Sequence, residues 1–412
     1  MTTLSSRSDA LAFDAADPLA AKRELFDLPD GIYLDGNSLG PLPFAARERV
    51  RHCLDHEWGE GLIASWNTAG WIDLPRSIAA KIAPLIGAGA DDVRVADSTS
   101  VNLFKVLAAA LAMRPDRTRI VSQRGNFPTD LYMVEGLAAI MGGRHDLHLV
   151  DDADDLSAAL NDDTAVLMLT HIDYKSGEML DMDALTKAAH DRGALTVWDL
   201  AHSAGAVPLD LANAEADFAV GCGYKYLNGG PGAPAFLYVA PKHQAGAQNP
   251  LTGWFAHTEP FAFDPHFRAA EGMNKFLVGT PPVLSAVALD AALSVWDGVS
   301  LENVRAKSIA LTELFIALIE SNCPDLMLAT PREAGRRGSQ VSFQHPDAYP
   351  IVQCLITNGV TGDFRAPNIA RFGFTSLYTR YVDVWDAATI LIDVMHSGAW
   401  KAPEFGVRRV VT

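Results

Sequence analysis

Between residues 91 and 240 the chain alternates short apolar runs with stretches of helical period. The runs RIVS (119–122), AVLMLT (165–170), LTVW (195–198) and FAVG (218–221) are short and rich in branched apolar residues. Such runs predict strands buried on both faces. Residues near 100–113, 128–141 and 181–192 carry apolar positions at helical spacing and predict the intervening helices. Strand–helix–strand order predicts a mostly parallel sheet with helices on both faces. A further strand, Phe236–Val239, follows a glycine-rich turn in the manner of a hairpin. Past Pro281 and Pro282 the pattern changes. Two long helical stretches near 283–297 and 301–322 precede shorter strands at 340–344 and 371–374 and a last amphipathic helix at 384–397. The expectation is an α/β fold: a large domain over 65–290, and a smaller α+β domain built from 1–64 with 291–412. No repeat or low-complexity linker interrupts it.

Composition narrows the function classes. The chain has 412 residues, 49% hydrophobic and 20% charged, which is ordinary for a globular protein. A net charge of -17 argues against nucleic acid and against an anionic membrane surface as partners. The first 22 residues hold Asp9, Asp14 and Asp17 and no long apolar run, so no signal peptide is expected. Cys53, Cys222, Cys323 and Cys354 are scattered without a CxxC pair. That is neither a disulfide framework nor a cysteine-rich metal site, and a reducing cytoplasm is the expected setting.

The chemistry centres on two strand ends. In VWDLAHSAG, Asp199 closes an apolar run, and ligands of open α/β sheets sit at the carboxyl ends of strands. Taken alone, Asp199 reads as a helix cap, with His202 filling the helix start or serving the same pocket. Lys225 stands in GCGYKYLNGGPG, after the next apolar run and about one crossover unit on. A snorkelling lysine is the plain reading. The sharper one is a lysine whose amine forms a covalent bond to a carbonyl, since partial burial lowers an ammonium pKa and frees a nucleophile. Enzymes that use pyridoxal phosphate need such a lysine and an acid facing the ring nitrogen. Thr99 and Ser100 open a helix whose free N–H groups suit an anion, and the glycines leave room for a flat cofactor. In GNFPTD, Phe127 suits stacking on a planar ring and Asp130 suits a polar contact to it. Competing motifs are missing: GCGYKY lacks a third glycine, HCLDH (52–56) is not HExxH, His145 and His148 lack further ligands, and there is no GxxxxGK[ST] or GxSxG.

Asp-x-Ala-His followed by a glycine-flanked Tyr-Lys-Tyr resembles the fold-type-I pyridoxal phosphate enzymes, in their class V aminotransferase branch. DGNSLGP (35–41), STSVNL (98–103), GNFPTD, DLAHSAG (199–205), YKYLNGGPG, GWF (253–255), GTPP (279–282) and ARFGFTSLY (370–378) are similar, in order, to the pattern of the kynureninases. The resemblance covers nearly the whole chain. It implies a pyridoxal phosphate fold-type-I large domain, a homodimer with active sites at the subunit interface, and hydrolysis of L-kynurenine, possibly extended to 3-hydroxykynurenine, to anthranilate and L-alanine. Tryptophan catabolism and NAD biosynthesis are the implied setting. It also implies roles by position: Lys225 as the cofactor-bound lysine, Asp199 as the pyridinium partner, Tyr224 in acid–base work at the phosphate, Thr99 and Ser100 as the phosphate cradle. Phe127, Pro128, Thr129, Asp130, Thr170 and His202 become cofactor contacts, and Trp254 and Thr280 reach the phosphate from the partner subunit. Arg371 clamps the substrate carboxylate, with Ser38 and Trp66 in the substrate pocket, and no metal is implied. A cysteine desulfurase or selenocysteine lyase is the related alternative. It needs a mobile cysteine, whereas Cys354 reads as core helix and Cys222 as strand. A class V aminotransferase shares the early chemistry.

Overall fold

Interior strands of the main sheet are the runs that the hydrophobic pattern singles out. The computed structural model describes Ser5–Arg409. In chain order its main sheet holds β1 (Val93–Val95), β2 (Arg119–Gln123), β3 (Asp146–Val150), β4 (Thr164–Thr170), β5 (Leu195–Asp199), β6 (Phe218–Gly221) and β7 (Phe236–Val239). The spatial order is β1-β7-β6-β5-β4-β2-β3. The pairs β2–β3, β2–β4, β4–β5 and β5–β6 are parallel, while β7 runs antiparallel to β6 and to β1. The mostly parallel α/β sheet therefore stands as expected. β1 and β3, which the pattern does not single out, are its two edges. β1 is a short run with Arg94 at its centre, and in β3 only Val150 is buried. An edge strand has one open side and needs no unbroken apolar run.

Helix α1 (Thr99–Ala112) links β1 to β2, α2 (Pro128–Ile140) links β2 to β3, and α3 (Met182–Asp191) precedes β5. Ser98 caps α1 by accepting from the Val101 amide at 3.4 Å. Pro128 opens α2, where its missing N–H costs nothing. α1 buries Leu103, Val106 and Leu107 against Val166, Val197, Val220 and Leu237 of the sheet. Register then aligns the carboxyl ends: Thr170 pairs with Asp199, and Asp199 with Val220.

The chain divides into two compact units. The larger holds Ala45–Asp173 and Leu180–Ser294, and so includes 45–64; the smaller holds the described residues up to Phe44, Tyr174–Met179 and those from Val295 on. In the smaller unit an antiparallel sheet has the order Met327–Leu328, Gln340–Gln344, Ile369–Gly373, Asp363–Arg365. Phe315, from the helix Leu301–Asn322, packs on Phe343, Phe372 and Phe374 at ring distances of 5.0 to 6.1 Å. The N-terminal helix Arg7–Ala16 joins this unit through Asp14, which accepts from the Tyr381 and Val382 amides at 2.6 and 3.1 Å. Those amides open the helix Tyr381–Ser397, which starts earlier than its apolar pattern because its first turn is capped both by the distant Asp14 and by the local Asp383, which accepts from the Arg380 amide at 2.9 Å. Among the described residues no single helix is long and apolar enough to cross a membrane.

Candidate functional site

β6 ends at Gly221, and Cys222 and Gly223 turn the chain toward Tyr224 and Lys225. Cys222 thus lies one residue past the strand, and it is buried. At Gly223 a Cβ would meet the Pro234 carbonyl oxygen at 2.5 Å. The chain's own close packing demands that glycine, where room for a cofactor was expected. Gly232 does border a cavity: its φ is +74° and its Cβ position faces open space.

Lys225 is half-buried, and its Nζ lies 2.8 Å from His202 Nε2. His202 is itself buried, in the turn that follows Asp199. Asp199 accepts from the Ala201 amide at 2.7 Å and also takes a hydrogen bond from the Asp130 carboxyl. Burial, then the charge of Asp199, pushes Asp130 well above the usual carboxylate range, so Asp130 holds the shared proton. Burial raises Asp199 too, but Lys225, the Ala201 amide and the Asp130 proton all act the other way. Asp199 stays raised on balance, but less than Asp130, so Asp130 is the partner that keeps its proton and Asp199 the one that ionises first. Thr170 steadies it, donating to Asp130 Oδ2 at 3.3 Å and to Asn126 Oδ1. Asn126 also donates to Ser122 at 3.2 Å, tying the GNFPTD turn to β2.

The start of α1 faces a cavity of about 570 Å³. Asp97, Ser98, Thr99, Tyr224, Gly232 and Thr280 are among its walls. Ser100 follows in the first turn of α1. Burial, then Cys222, raises the Tyr224 hydroxyl above its ordinary value, so it keeps its proton. The Cys222 thiol is pushed up by burial as well and stays protonated.

The expected residues fall into separate groups. Asp130, Thr170, Asp199, His202 and Lys225 form one, and Thr99, Tyr224 and Thr280 surround the cavity. Phe127 precedes α2, 42% exposed, and Pro128 and Thr129 form the first turn beside it. Trp254 and Trp66 pack edge to face at 6.0 Å. In the smaller unit Arg371 meets Ser38, donating to its Oγ at 2.7 Å. Arg371 is buried, donates from Nε to Asp363 Oδ1 at 2.8 Å and from Nη2 to Asp363 Oδ2, and gives Nη1 to the Tyr174 carbonyl at 2.6 Å. Burial opposes it, yet the charge and hydrogen bonds of Arg371 hold Asp363 below the usual carboxylate range. Asp35, nearby, is pushed up to about 7 by burial and by the Asp363 charge.

Sequence reasoning missed Asn126, Asp35 and Asp363 as parts of these clusters. The first two stand inside quoted motifs. Asp363 had one signal, a hairpin whose register sets it opposite Arg371. Among the described residues no group of three or more His, Cys, Asp or Glu is placed to hold a metal ion.

Pyridoxal phosphate fits this donor set. It needs an amine, a carboxylate that stays charged in a buried place, and an anion seat. Lys225, the Asp130–Asp199 pair and the start of α1 are of those kinds.

Comparison with known proteins bears on the same point. A family profile described as "Kynureninase C-terminal domain" matches residues 304–391. A protein named Kynureninase from Burkholderia mallei (strain SAVP1) is 53% identical over 416 residues, 99% of this chain and 100% of that one. Another so named, from Pseudomonas fluorescens, is 50% identical with the same coverage. Among solved structures, a mutant of the cystine C–S lyase C-DES with glycine covalently linked to the PLP cofactor superposes with a TM-score of 0.78 at 19% identity. It covers 90% of this chain and 99% of its own. The cysteine desulfurase CsdA from Escherichia coli gives 0.77 at 18% identity, covering 92% and 98%. Identity this low establishes the shared fold alone.

Proposed function

The chain belongs to the kynureninase family, and from that premise we propose how its own residues carry the reaction. It is a pyridoxal-phosphate-dependent hydrolase that breaks the Cβ–Cγ bond of L-kynurenine, releasing anthranilate and L-alanine. Identity of 50 to 53% with relatives named Kynureninase, over their full length, carries this conclusion.

Lys225 would be the amine that takes the cofactor's aldehyde, and Thr99 and Ser100 would seat its phosphate with α1's first N–H groups. Phe127 would hold the cofactor by stacking, with Pro128 and Thr129 in the helix turn beside it. When bound, pyridoxal phosphate supplies an aldehyde for the substrate amine and a protonated ring that accepts the electron pair left at Cα. Asp199 would hold the ring-nitrogen proton, with the protonated Asp130 beside it favouring the charged form of Asp199. Lys225 would take the Cα proton, with His202, 2.8 Å from its Nζ, positioning the amine. Tyr224 keeps its proton at neutral pH, so it acts as a donor after the side-chain ketone is hydrated. Arg371 takes the substrate α-carboxylate, its fork kept from turning by Asp363. Ser38 and Trp66 complete the substrate contacts. The kynureninase pattern also supports a homodimer in which Trp254 approaches the partner's phosphate; the pattern gives Thr280 the same role, whereas its place beside Thr99 supports a contact to this chain's own phosphate. It supports a cytoplasmic place in tryptophan catabolism and use of 3-hydroxykynurenine.

The cysteine desulfurase alternative finds no support in the thiols. All four cysteines are buried, and burial raises each of them, which favours thiol over thiolate. The purified protein, loaded with pyridoxal phosphate, should turn L-kynurenine into anthranilate and alanine in equal amounts, followed by anthranilate fluorescence. A cofactor-loaded protein that yields no anthranilate but releases sulfide from cysteine, or transaminates, would overturn the assignment.

A further inference from the structure

Lys105 is a lysine the reaction does not use. It lies on α1, and its side chain is wholly inaccessible to solvent. Its ammonium has three N–H donors and three partners: Asp97 Oδ2, Asn102 Oδ1 at 3.0 Å and the Phe276 carbonyl at 2.8 Å. Burial pushes this amine below its ordinary range and Asp97 opposes that.

Asp97 is the unusual partner. It sits in the turn from β1 to α1 with φ +48°, left-handed backbone that a non-glycine side chain seldom adopts. Its amide neighbourhood is fixed from the sheet, since the Ala235 amide donates to its carbonyl at 2.9 Å. It lines the same cavity as Thr99 and Thr280. A carboxylate there has the wrong sign for a seat meant for a dianion. Phe276, the third partner, ends the turn Gly272–Phe276 that leads into Thr280. One buried ammonium thus bonds to two of the segments that wall the cavity.

We propose that Lys105 is a positioning residue for the cofactor's phosphate: it cancels the charge of Asp97 on the cavity wall and ties that wall to the segment bearing Thr280. This rests on the reading that the cavity at the start of α1 seats the phosphate. Removal of the ammonium leaves Asp97 facing the phosphate with no counter-charge. The resulting loss is specific to the phosphate and absent for the rest of the cofactor.

The test compares pyridoxal phosphate with pyridoxal, which carries the same aldehyde for Lys225 and no phosphate. Apo-protein is titrated with each, and dissociation constants are read from the visible band. Lys105→Met should weaken pyridoxal phosphate binding about tenfold or more, with pyridoxal changed far less. Lys105→Met with Asp97→Asn should recover most of that loss. Equal losses for both ligands, or no recovery in the double variant, would reduce Lys105 to a structural anchor and overturn the proposal. If Lys105→Met fails to fold, Asp97→Asn alone decides. It should leave the preference for pyridoxal phosphate over pyridoxal equal or greater, and a reduced preference contradicts the proposal. Ser100→Asp separates the underlying reading: a new charge in the first turn of α1 should weaken pyridoxal phosphate selectively. If it does not, the phosphate lies elsewhere and the proposal goes with it. If it does while Lys105→Met acts equally on both ligands, only the role of Lys105 is lost.

Discussion

Asp130 and Asp199 in the larger unit, and Asp35 and Asp363 in the smaller, are two pairs of carboxyls: the first is buried beside Lys225, and in the second Asp363 is buried beside Arg371 and Arg365 with Asp35 half-buried next to it. In the smaller unit Arg371 grips Asp363 through Nε and Nη2, so that carboxylate falls below its usual range, while burial and then the Asp363 charge push Asp35 up to about 7. In the larger unit Lys225 bonds to His202, and its charge only opposes the burial of Asp199. There a second carboxyl, Asp130, supplies the missing stabilisation by keeping its proton. A planar fork with two bonds, helped by Arg365 and by Ser38, fixes the Asp363 charge, whereas a lysine that must react cannot do this for Asp199, and the neighbouring acid takes over that task.

The sharpest way to break this comparison is to swap each carboxyl for its amide. Asp199→Asn should lower kcat/KM by roughly a thousandfold or more, because the charge that holds the ring proton is gone. Asp130→Asn should stay within about tenfold of the parent, since Asp130 is already neutral and an amide can still donate. Equal losses in the two variants would refute the assignment of the proton. Asp363→Asn comes next: losing one side of a buried bidentate pair should cost about 3 kcal/mol in chemical denaturation and raise KM for kynurenine, with the cofactor's spectrum unchanged. A spectral change with KM unmoved would contradict the assignment of Arg371 to the substrate carboxylate. The smallest effect is in pH. Asp35 holds its proton more tightly folded than unfolded, so its contribution is fully present below the ordinary carboxylate range and is lost as pH rises through about 7. Stability measured from pH 4 to 8 should therefore decline less in Asp35→Asn than in the parent.

Legibility followed burial and covalent neighbourhood. The interior strands could be read because their residues are buried on both faces, as in β4 and β5, where every position is buried. The edges β1 and β3 could not: β1 is buried but only three residues long with Arg94 at its centre, and β3 buries Val150 alone. Lys225 and Asp199 were legible because each stands just beyond an apolar run. Asp363 and Asp35 were not, because their meaning comes from Arg371, eight residues or several hundred away in the chain and adjacent only once the smaller unit folds. The glycine at 223 suggests space for a ligand, but Pro234 and Leu289, distant in sequence, fill that space. Lys105 had no signal at all, since a lone lysine inside an apolar helix pattern gives no hint of the carboxylate below it.

Lys225 as the residue that holds the cofactor is the claim on which the rest depends. It is tested by the visible spectrum of the parent and of Lys225→Ala, each purified in excess pyridoxal phosphate and freed of unbound cofactor. The parent should show the absorption band of lysine-bound cofactor, and the variant should lack it while unfolding at a similar denaturant concentration. A well-folded Lys225→Ala protein that keeps the band would contradict the account.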